Sequence, residues 1–266
     1  MVAGSNSFCE QSPVNVKETD RDTITCMPRI SIVIPTLREE GYIEGTVRQF
    51  ERLSIPHEVI VSDGGSRDRT VELAKAVADK VIVKNDPHPI PARQRNDGAR
   101  EARGEFLCFT DSSVRIPDIE HFFERALRKF ALDPKLIAIT GPQNIFPEIE
   151  TFWDKTFLGL QNQLIRFQNN VLRRGAGTGK FMLMRRAAFE KIYGFDEGLV
   201  AAEDLNLYYR LSKLGRTRYC ADQAILYPGR REHGLGWPKL LWIWTTNVIW
   251  VWIFGHTWVK EWTPVR

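Results

Sequence analysis

Asp111 closes the apolar run Phe106-Leu-Cys-Phe-Thr110 and is followed by Ser112 and Ser113. A carboxylate at the end of such a run can hold a divalent cation against a diphosphate and steady a departing nucleotide. The plain alternative is a loop aspartate. Asp63 stands in the same relation to the run Glu58–Ser62, and Gly64-Gly65 after it would let the backbone approach a ligand closely. Its plain reading is that Asp63 closes a turn and Ser66 caps the next helix. Glu203 and Asp204 open a helical stretch. First-turn acids complement a helix dipole, but in a cleft one could take the proton of an acceptor hydroxyl as general base. Spacing alone does not separate these readings.

Other patterns can be set aside. The run Gly175-Ala-Gly-Thr-Gly-Lys180 is not a phosphate loop: Arg174 stands where that pattern needs a glycine, and a strand-like segment follows it. Nor does it match a dinucleotide fingerprint. Cys9, Cys26, Cys108 and Cys220 are too scattered for a structural zinc site or a disulfide framework, which points to a reducing compartment. Cys108, inside an apolar run, reads as a small buried hydrophobe. A hydrophobic content of 43% with 26% charged residues excludes wholesale disorder over the 266 residues. The net charge of +4 suits a protein that meets phosphates or an anionic surface. No basic stripe interleaved with aromatics is present, so nucleic acid is not an expected partner.

Short apolar runs alternate with helical spacing and would place these acids together. Strands are expected at Ile30–Ile34, Glu58–Ser62, Val81–Val83, Glu105–Thr110 and Leu136–Thr140. Helices are expected at 40–53, 67–78, 91–102 and 119–130. Runs buried on both faces and separated by helices imply βαβ units in a parallel, doubly wound sheet. Ligands of such sheets sit beyond the carboxyl ends of the strands, which here are Pro35-Thr36, Asp63-Gly64 and Asp111-Ser112. The second half is less regular, with a long amphipathic helix at 152–172, a strand at Phe181–Met184 and a helix at 203–214.

Two terminal segments read differently. Met1–Pro28 is polar, lacks the apolar run of a signal peptide, and is expected to be a poorly ordered tail. Trp237–Trp258 is apolar all round if helical and would extend about 33 Å, near a bilayer core. Thr245-Thr246-Asn247 interrupts it, Trp recurs throughout, and Arg230, Arg231, Lys239, Lys260 and Arg266 flank it. An in-plane or re-entrant membrane helix is expected, with a core helix closing the domain as the alternative.

The order of motifs resembles the family 2 glycosyltransferases, an inverting group of GT-A fold that includes dolichyl-phosphate mannose synthases and cellulose-synthase-like enzymes. The matching segments are Ser31–Thr36, Val61–Ser66, Arg95–Ala99, Gly104–Asp111, Gly177–Met182, Gly194–Glu197 and Glu203–Leu205. The resemblance spans Arg29 to Arg231. It implies an α/β GT-A domain at 29–231, a Rossmann-like, mostly parallel mixed sheet; the Trp-rich segment at 232–266 beyond it is the expected membrane-interfacial or re-entrant helix. The resemblance also implies roles. Pro35, Thr36 and Glu39 would line the nucleoside site, Asp63 would contact the base, and Arg95 would lie near the nucleotide. Asp111 would be the first acid of a DxD motif and Asp204 the catalytic base. Arg230, Arg231, Glu203 and Gly177 would meet the diphosphate or the acceptor.

Two positions depart from the pattern. Ser113 replaces the second DxD acid, so a Mg²⁺ or Mn²⁺ ion would rest on Asp111 with another ligand, for which His233 is a candidate. Arg38 replaces an asparagine usual after the first strand. The expectation is an inverting hexosyltransferase on the cytoplasmic face of a membrane, carrying mannose or glucose from a GDP- or UDP-sugar to a lipid-linked acceptor. A catalytically degenerate protein that binds sugar nucleotide or lipid is the alternative. A nucleotidyltransferase is disfavoured because 35–40 lacks the glycine such enzymes carry after the first strand.

Overall fold

The computed structural model describes residues 28–254, so the tail expected at 1–28 lies, but for Pro28, outside the described residues, as do 255–266. In chain order the strands are β1 (Ile30–Thr36), β2 (His57–Asp63), β3 (Lys80–Val83), β4 (Phe106–Thr110), β5 (Leu136–Thr140), β6 (Gln143–Ile145), β7 (Phe181–Arg185), β8 (Arg216–Tyr219) and β9 (Ile225–Tyr227). The helices are α1 (Ile43–Arg48), α2 (Thr70–Lys75), α3 (Pro91–Arg100), α4 (Ile119–Leu132), α5 (Phe152–Asn170), α6 (Arg186–Lys191), α7 (Glu203–Ser212), α8 (Arg230–Leu235) and α9 (Trp237–Phe254). A 3-10 turn at Gln49–Arg52 continues α1, so the single helix expected at 40–53 is two shorter pieces.

The seven-stranded sheet has the order β3-β2-β1-β4-β7-β5-β8, and β6 pairs with β9 in a small parallel sheet. The mostly parallel mixed sheet expected from the sequence is present. β7 is its antiparallel member, pairing Thr110 with Phe181 on one side and Ile139 with Leu183 on the other. This reversal brings the amino end of β7 to the edge where β4 ends. The glycine run before β7 is thereby delivered beside Asp111.

Alternation along the strands builds a core on each face. Ile32, Ile34, Phe106, Cys108 and Leu183 face α4, where Phe122 stacks edge-on against Phe181 at 4.9 Å. Val33, Leu107, Phe109 and Met182 face the other way, onto Phe189, Phe195 and Tyr208. Cys108 is fully buried, as its apolar neighbours suggested, and burial pushes its thiol well up.

α9 begins inside the domain rather than beside it. Trp237 and Leu240 are buried in the main core, and Leu241 and Trp244 pack against it. The anchor is Asp154 in the first turn of α5, part of a capping box with Thr151. Its carboxylate accepts from Trp237 Nε1 at 2.7 Å and pairs with His233 Nε2 at 2.9 Å. The alternative of a helix closing the domain therefore describes the first turns of α9. Trp242 is exposed on it. Among the described residues no helix is long and apolar enough to cross a membrane, and the part of the segment beyond Phe254 lies outside them.

Candidate active site

α3 is the element that builds the site, and its sequence PARQRNDGAR looks too polar to be buried. Pro91 supplies its first turn, where no N–H is needed. The helix crosses close over the sheet because Gly98 has no side chain: a Cβ there would stand 2.3 Å from Val33 Cγ1. Its buried polar groups are met by neighbouring loops. Gln94 Nε2 donates to the Thr36 carbonyl at 2.7 Å, and Asn96 exchanges hydrogen bonds with the backbone of Phe195.

Arg95 is the centre of this arrangement. Its side chain is 3% exposed, and its guanidinium reaches Glu203 Oε1 at 2.7 Å and Asp111 Oδ1 at 3.0 Å. Nη2 also donates to the Gly179 carbonyl at 3.3 Å, while Nε is buried without a hydrogen-bond partner. One buried cation thus joins the tip of β4, the start of α7 and the glycine run.

The glycine run is explained by α7. A Cβ on Gly175 would stand 2.0 Å from the Tyr208 carbonyl oxygen, and one on Gly177 would stand 2.4 Å from the Tyr208 ring. The chain must lie flat on the helix to reach β7. Gly179 N then donates to Asp204 Oδ2 at 2.7 Å. Burial raises Asp204 above the ordinary carboxylate range, against the pull of Arg95. Burial and the Asp204 charge push Glu203 up to about 7. Two adjacent acids held this way are suited to taking up a proton near neutrality.

A cleft of about 800 Å³ opens over these groups. Pro35, Thr36, Glu39, Arg95, Asp111, Gly177, Glu203 and Asp204 line it. Arg230 and Arg231 of α8 line it as well. Arg230 Nη2 is held by Glu39, at 2.8 and 2.9 Å from its two oxygens, and lies over the Tyr42 ring at 4.9 Å. Burial raises Glu39 despite this pairing and lowers Arg231. Lys180 was not singled out from the sequence, although it follows the rejected glycine run. It lines the cleft with its amine 4.2 Å over the Tyr227 ring.

Two expected site residues lie elsewhere. Asp63 is buried, and its carboxylate accepts from Thr36 Oγ1, Gly65 N, Ser66 N and Ser66 Oγ. A carboxylate offers about four lone-pair directions, and these four donors occupy them in this structure; Asp63 does not line the cleft. The plain turn-closing reading fits, and Asp63 supports the cleft only through Thr36. His233, the candidate second metal ligand, does not line the cleft and is bound to Asp154.

Among the described residues no group of three or more His, Cys, Asp or Glu could hold a metal ion. Asp111, with a 38% exposed side chain, offers one carboxylate at the cleft. A hard cation that takes one carboxylate and completes its shell with substrate phosphates fits that donor set; a protein cage does not.

Residues 31–193 match the profile described as Glycosyl transferase family 2. The succinoglycan biosynthesis protein ExoA of Rhizobium meliloti (strain 1021) is 30% identical over 218 residues, which cover 77% of this chain and 65% of that protein. The O-antigen chain rhamnosyltransferase WbaN of Salmonella anatum is 25% identical over 75% of this chain and 66% of its own. The chain therefore spans just under two thirds of the length of these relatives. In fold it is similar to a mannosyltransferase from Pyrobaculum calidifontis solved with GDP-Man and Mn²⁺. That match has a TM-score of 0.64 and 20% identity, over 78% of this chain and 59% of that one. Residues 1–349 of TarS from S. aureus, solved with UDP-GlcNAc, match at TM-score 0.57 and 19% identity, over 75% of this chain and 58% of that one.

Proposed function

The chain belongs to Glycosyl transferase family 2, and from that membership we propose that it is an inverting hexosyltransferase using a GDP- or UDP-sugar. The observation that carries the reading is the one cleft that Asp111, Arg95, Glu203 and Asp204 line together with Arg230 and Arg231. Sugar-nucleotide donors of both kinds occur in the titles of the similar structures, GDP-Man in one and UDP-GlcNAc in the other. Mannose and glucose remain the sugars favoured by the sequence resemblance.

In this reading the nucleoside lies toward Pro35, Thr36 and Glu39. The diphosphate lies between Asp111 and the arginines of α8. Asp204 accepts the proton of the attacking acceptor hydroxyl as the new bond to the anomeric carbon forms. The bond to the diphosphate breaks on the opposite side, which inverts the configuration. Arg230, Arg231 and Lys180 meet the charge that develops on the leaving group. Asp111 would hold a Mg²⁺ or Mn²⁺ ion, which when bound supplies positive charge at the diphosphate. The acceptor is lipid-linked and the protein works at the cytoplasmic face of a membrane.

Thermal shift with a panel of GDP- and UDP-sugars tests the donor half, since a bound donor raises the melting temperature by mass action. Asp204→Asn tests the chemistry: transfer to a hydroxyl acceptor falls by about 10²- to 10⁴-fold, with the donor-induced shift retained. Undiminished transfer would remove Asp204 as the base.

A further inference from the structure

Beyond the acids the cleft continues as a groove between α5 and α9, and its lining is of a different kind. Gln161, Leu164, Ile165 and Gln168 face it from α5, and Ile243 and Trp244 face it from α9. The α5 positions fall on one helical face at the spacing i, i+3, i+4, i+7. That face reads amide, apolar, apolar, amide.

One of the amides is under-satisfied. Gln143 of β6 lines the same groove and is 2% exposed, with its Nε2 spent on Gln161 Oε1 at 2.7 Å. Its Oε1 is buried and has no hydrogen-bond partner. Among the described residues the Gln168 side chain likewise makes no hydrogen bond, although its backbone carbonyl accepts from Arg174. Buried polar groups are almost always paired. A buried orphan acceptor on Gln143 and the half-exposed amide of Gln168, two turns along α5 from Gln161, both line one groove and mark a place for a ligand rich in hydroxyls. No charged side chain is among the α5 or α9 residues that line it. A phosphate would find no cation on those two helices, whereas a neutral ring with donors on its rim and C–H faces above and below suits amides flanking Leu164, Ile243 and Trp244.

Resting on the transferase reading above, we propose that this groove is the acceptor subsite and that it takes a neutral saccharide. A hydroxyl of that sugar is the nucleophile. Its proton passes to Asp204 as its oxygen bonds to the anomeric carbon and the diphosphate departs. Gln143 and Gln168 position the ring and Trp244 packs against it. The lipid expected of the acceptor then lies beyond its sugar, and the reacting group is a hydroxyl rather than a lipid phosphate.

The full chain is to be examined by saturation-transfer NMR with octyl glucoside, octyl galactoside, octyl mannoside and octyl phosphate. All four are kept below their micelle concentrations, with saturating nucleotide present. Expected are binding of at least one glycoside in preference to octyl phosphate, and affinity about fivefold to tenfold lower in Gln168→Ala, the change one lost hydrogen bond produces. Gln143→Leu should give a similar loss; if it does not fold, Gln168→Ala carries the result alone. The proposal is overturned if octyl phosphate displaces every glycoside, if no glycoside binds, or if Gln168→Ala binds as wild type does. Thermal shift by nucleotide sugars keeps the two readings apart. A donor shift without glycoside binding sinks the acceptor groove alone, whereas no shift with any donor sinks the transferase reading beneath it.

Discussion

Glu203 Oε1 and Asp111 Oδ1 are held by two nitrogens of the same guanidinium, at 2.7 and 3.0 Å from Arg95. The acid at the tip of β4 and the acid at the start of α7 are thus set relative to one another by a side chain that is itself inaccessible to solvent. Removing the cation leaves Glu203 buried without its partner, and the loss of one member of a buried pair costs about 3–5 kcal/mol. Arg95→Met is expected to lose that amount in urea unfolding. Arg95→Lys keeps a charge but cannot fork to both acids, so it should recover part of the stability while transfer stays depressed.

The same pair sets a pH dependence with a definite sign. Glu203 rises from its ordinary 4.5 to about 7 on folding. The folded state therefore holds a proton that the unfolded chain has released across that window. Its contribution to stability is complete below about pH 4.5 and is lost as pH rises through about 7. Asp204 and Glu39 are also raised and act in the same direction, whereas Glu58, Asp68 and Asp154 are lowered and act only in more acid solution. Melting temperatures measured between pH 5 and 8 should fall toward pH 8 in the wild type and fall less in Glu203→Gln. The acid limb of the transfer rate should move to lower pH in the same variant, because Asp204 no longer shares its site with a second negative charge.

The glycine run separates stability from chemistry. A Cβ at Gly177 meets a buried aromatic ring at 2.4 Å, and a Cβ at Gly179 meets Arg95 Nη2 at 2.7 Å. Tyr208 cannot yield, because its hydroxyl donates to the Ile139 carbonyl at 2.6 Å and its ring is fully buried. Gly177→Ala should cost about 1–3 kcal/mol, the usual penalty of overpacking a core. In Gly179→Ala the guanidinium shifts away from its acids. Transfer should fall by up to about a hundredfold, as an ångström of misplacement can cause, with a smaller change in urea midpoint than Gly177→Ala shows.

Much of this site could be read from the sequence because strand tips announce themselves. Continuous apolar runs such as Phe106–Phe109 end in an acid, and the topology of an α/β sheet fixes where that acid stands. The direction of β7 could not be read, since Phe-Met-Leu-Met is equally apolar in either sense and pairing is a tertiary fact. β6 and β9 are three residues each, too short for periodicity to register. β8 carries the alternation of a half-buried strand, with Arg216 and Arg218 pointing out and Thr217 and Tyr219 pointing in, over only four residues. At Asp63 the sequence is ambiguous, because a strand-tip acid facing a ligand and one folded back on its own turn have the same sequence. Only the count of its hydrogen bonds separates them.

Membrane association has a surface to test. Trp153, Leu160 and Phe167 are exposed along α5, and Trp242 is exposed on α9. Lys155, Arg166, Arg173 and Arg174 lie on and just after α5. The exposed apolar side chains could insert at headgroup depth while the nearby cations attract anionic lipid. Flotation with phosphatidylserine vesicles should carry the protein at low salt, and Leu160→Glu with Phe167→Glu should release it. Failure of the wild type to float would place these helices in water.

Ser113 offers the sharpest test of how the diphosphate is held. The loop bearing it is fixed, with Thr46 Oγ1 donating to the Ser112 carbonyl at 2.7 Å and Val114 N to that of Asp111 at 3.3 Å. A carboxylate introduced here would therefore stand near Asp111 without reshaping the strand tip. With one protein carboxylate, the ion depends on the diphosphate for most of its ligands, so wild-type turnover should need high Mn²⁺ and fall gradually as the metal is chelated. Ser113→Asp should lower the Mn²⁺ concentration for half-maximal transfer by about tenfold, because a hard cation gains an anionic oxygen in place of a hydroxyl. It should leave the order of preference among nucleotide sugars unchanged. An unaltered Mn²⁺ midpoint in a folded, active variant would mean that the ion, or the charge that replaces it, meets the diphosphate away from the end of β4. Stabilisation of the leaving group would then fall to Arg230, Arg231 and Lys180.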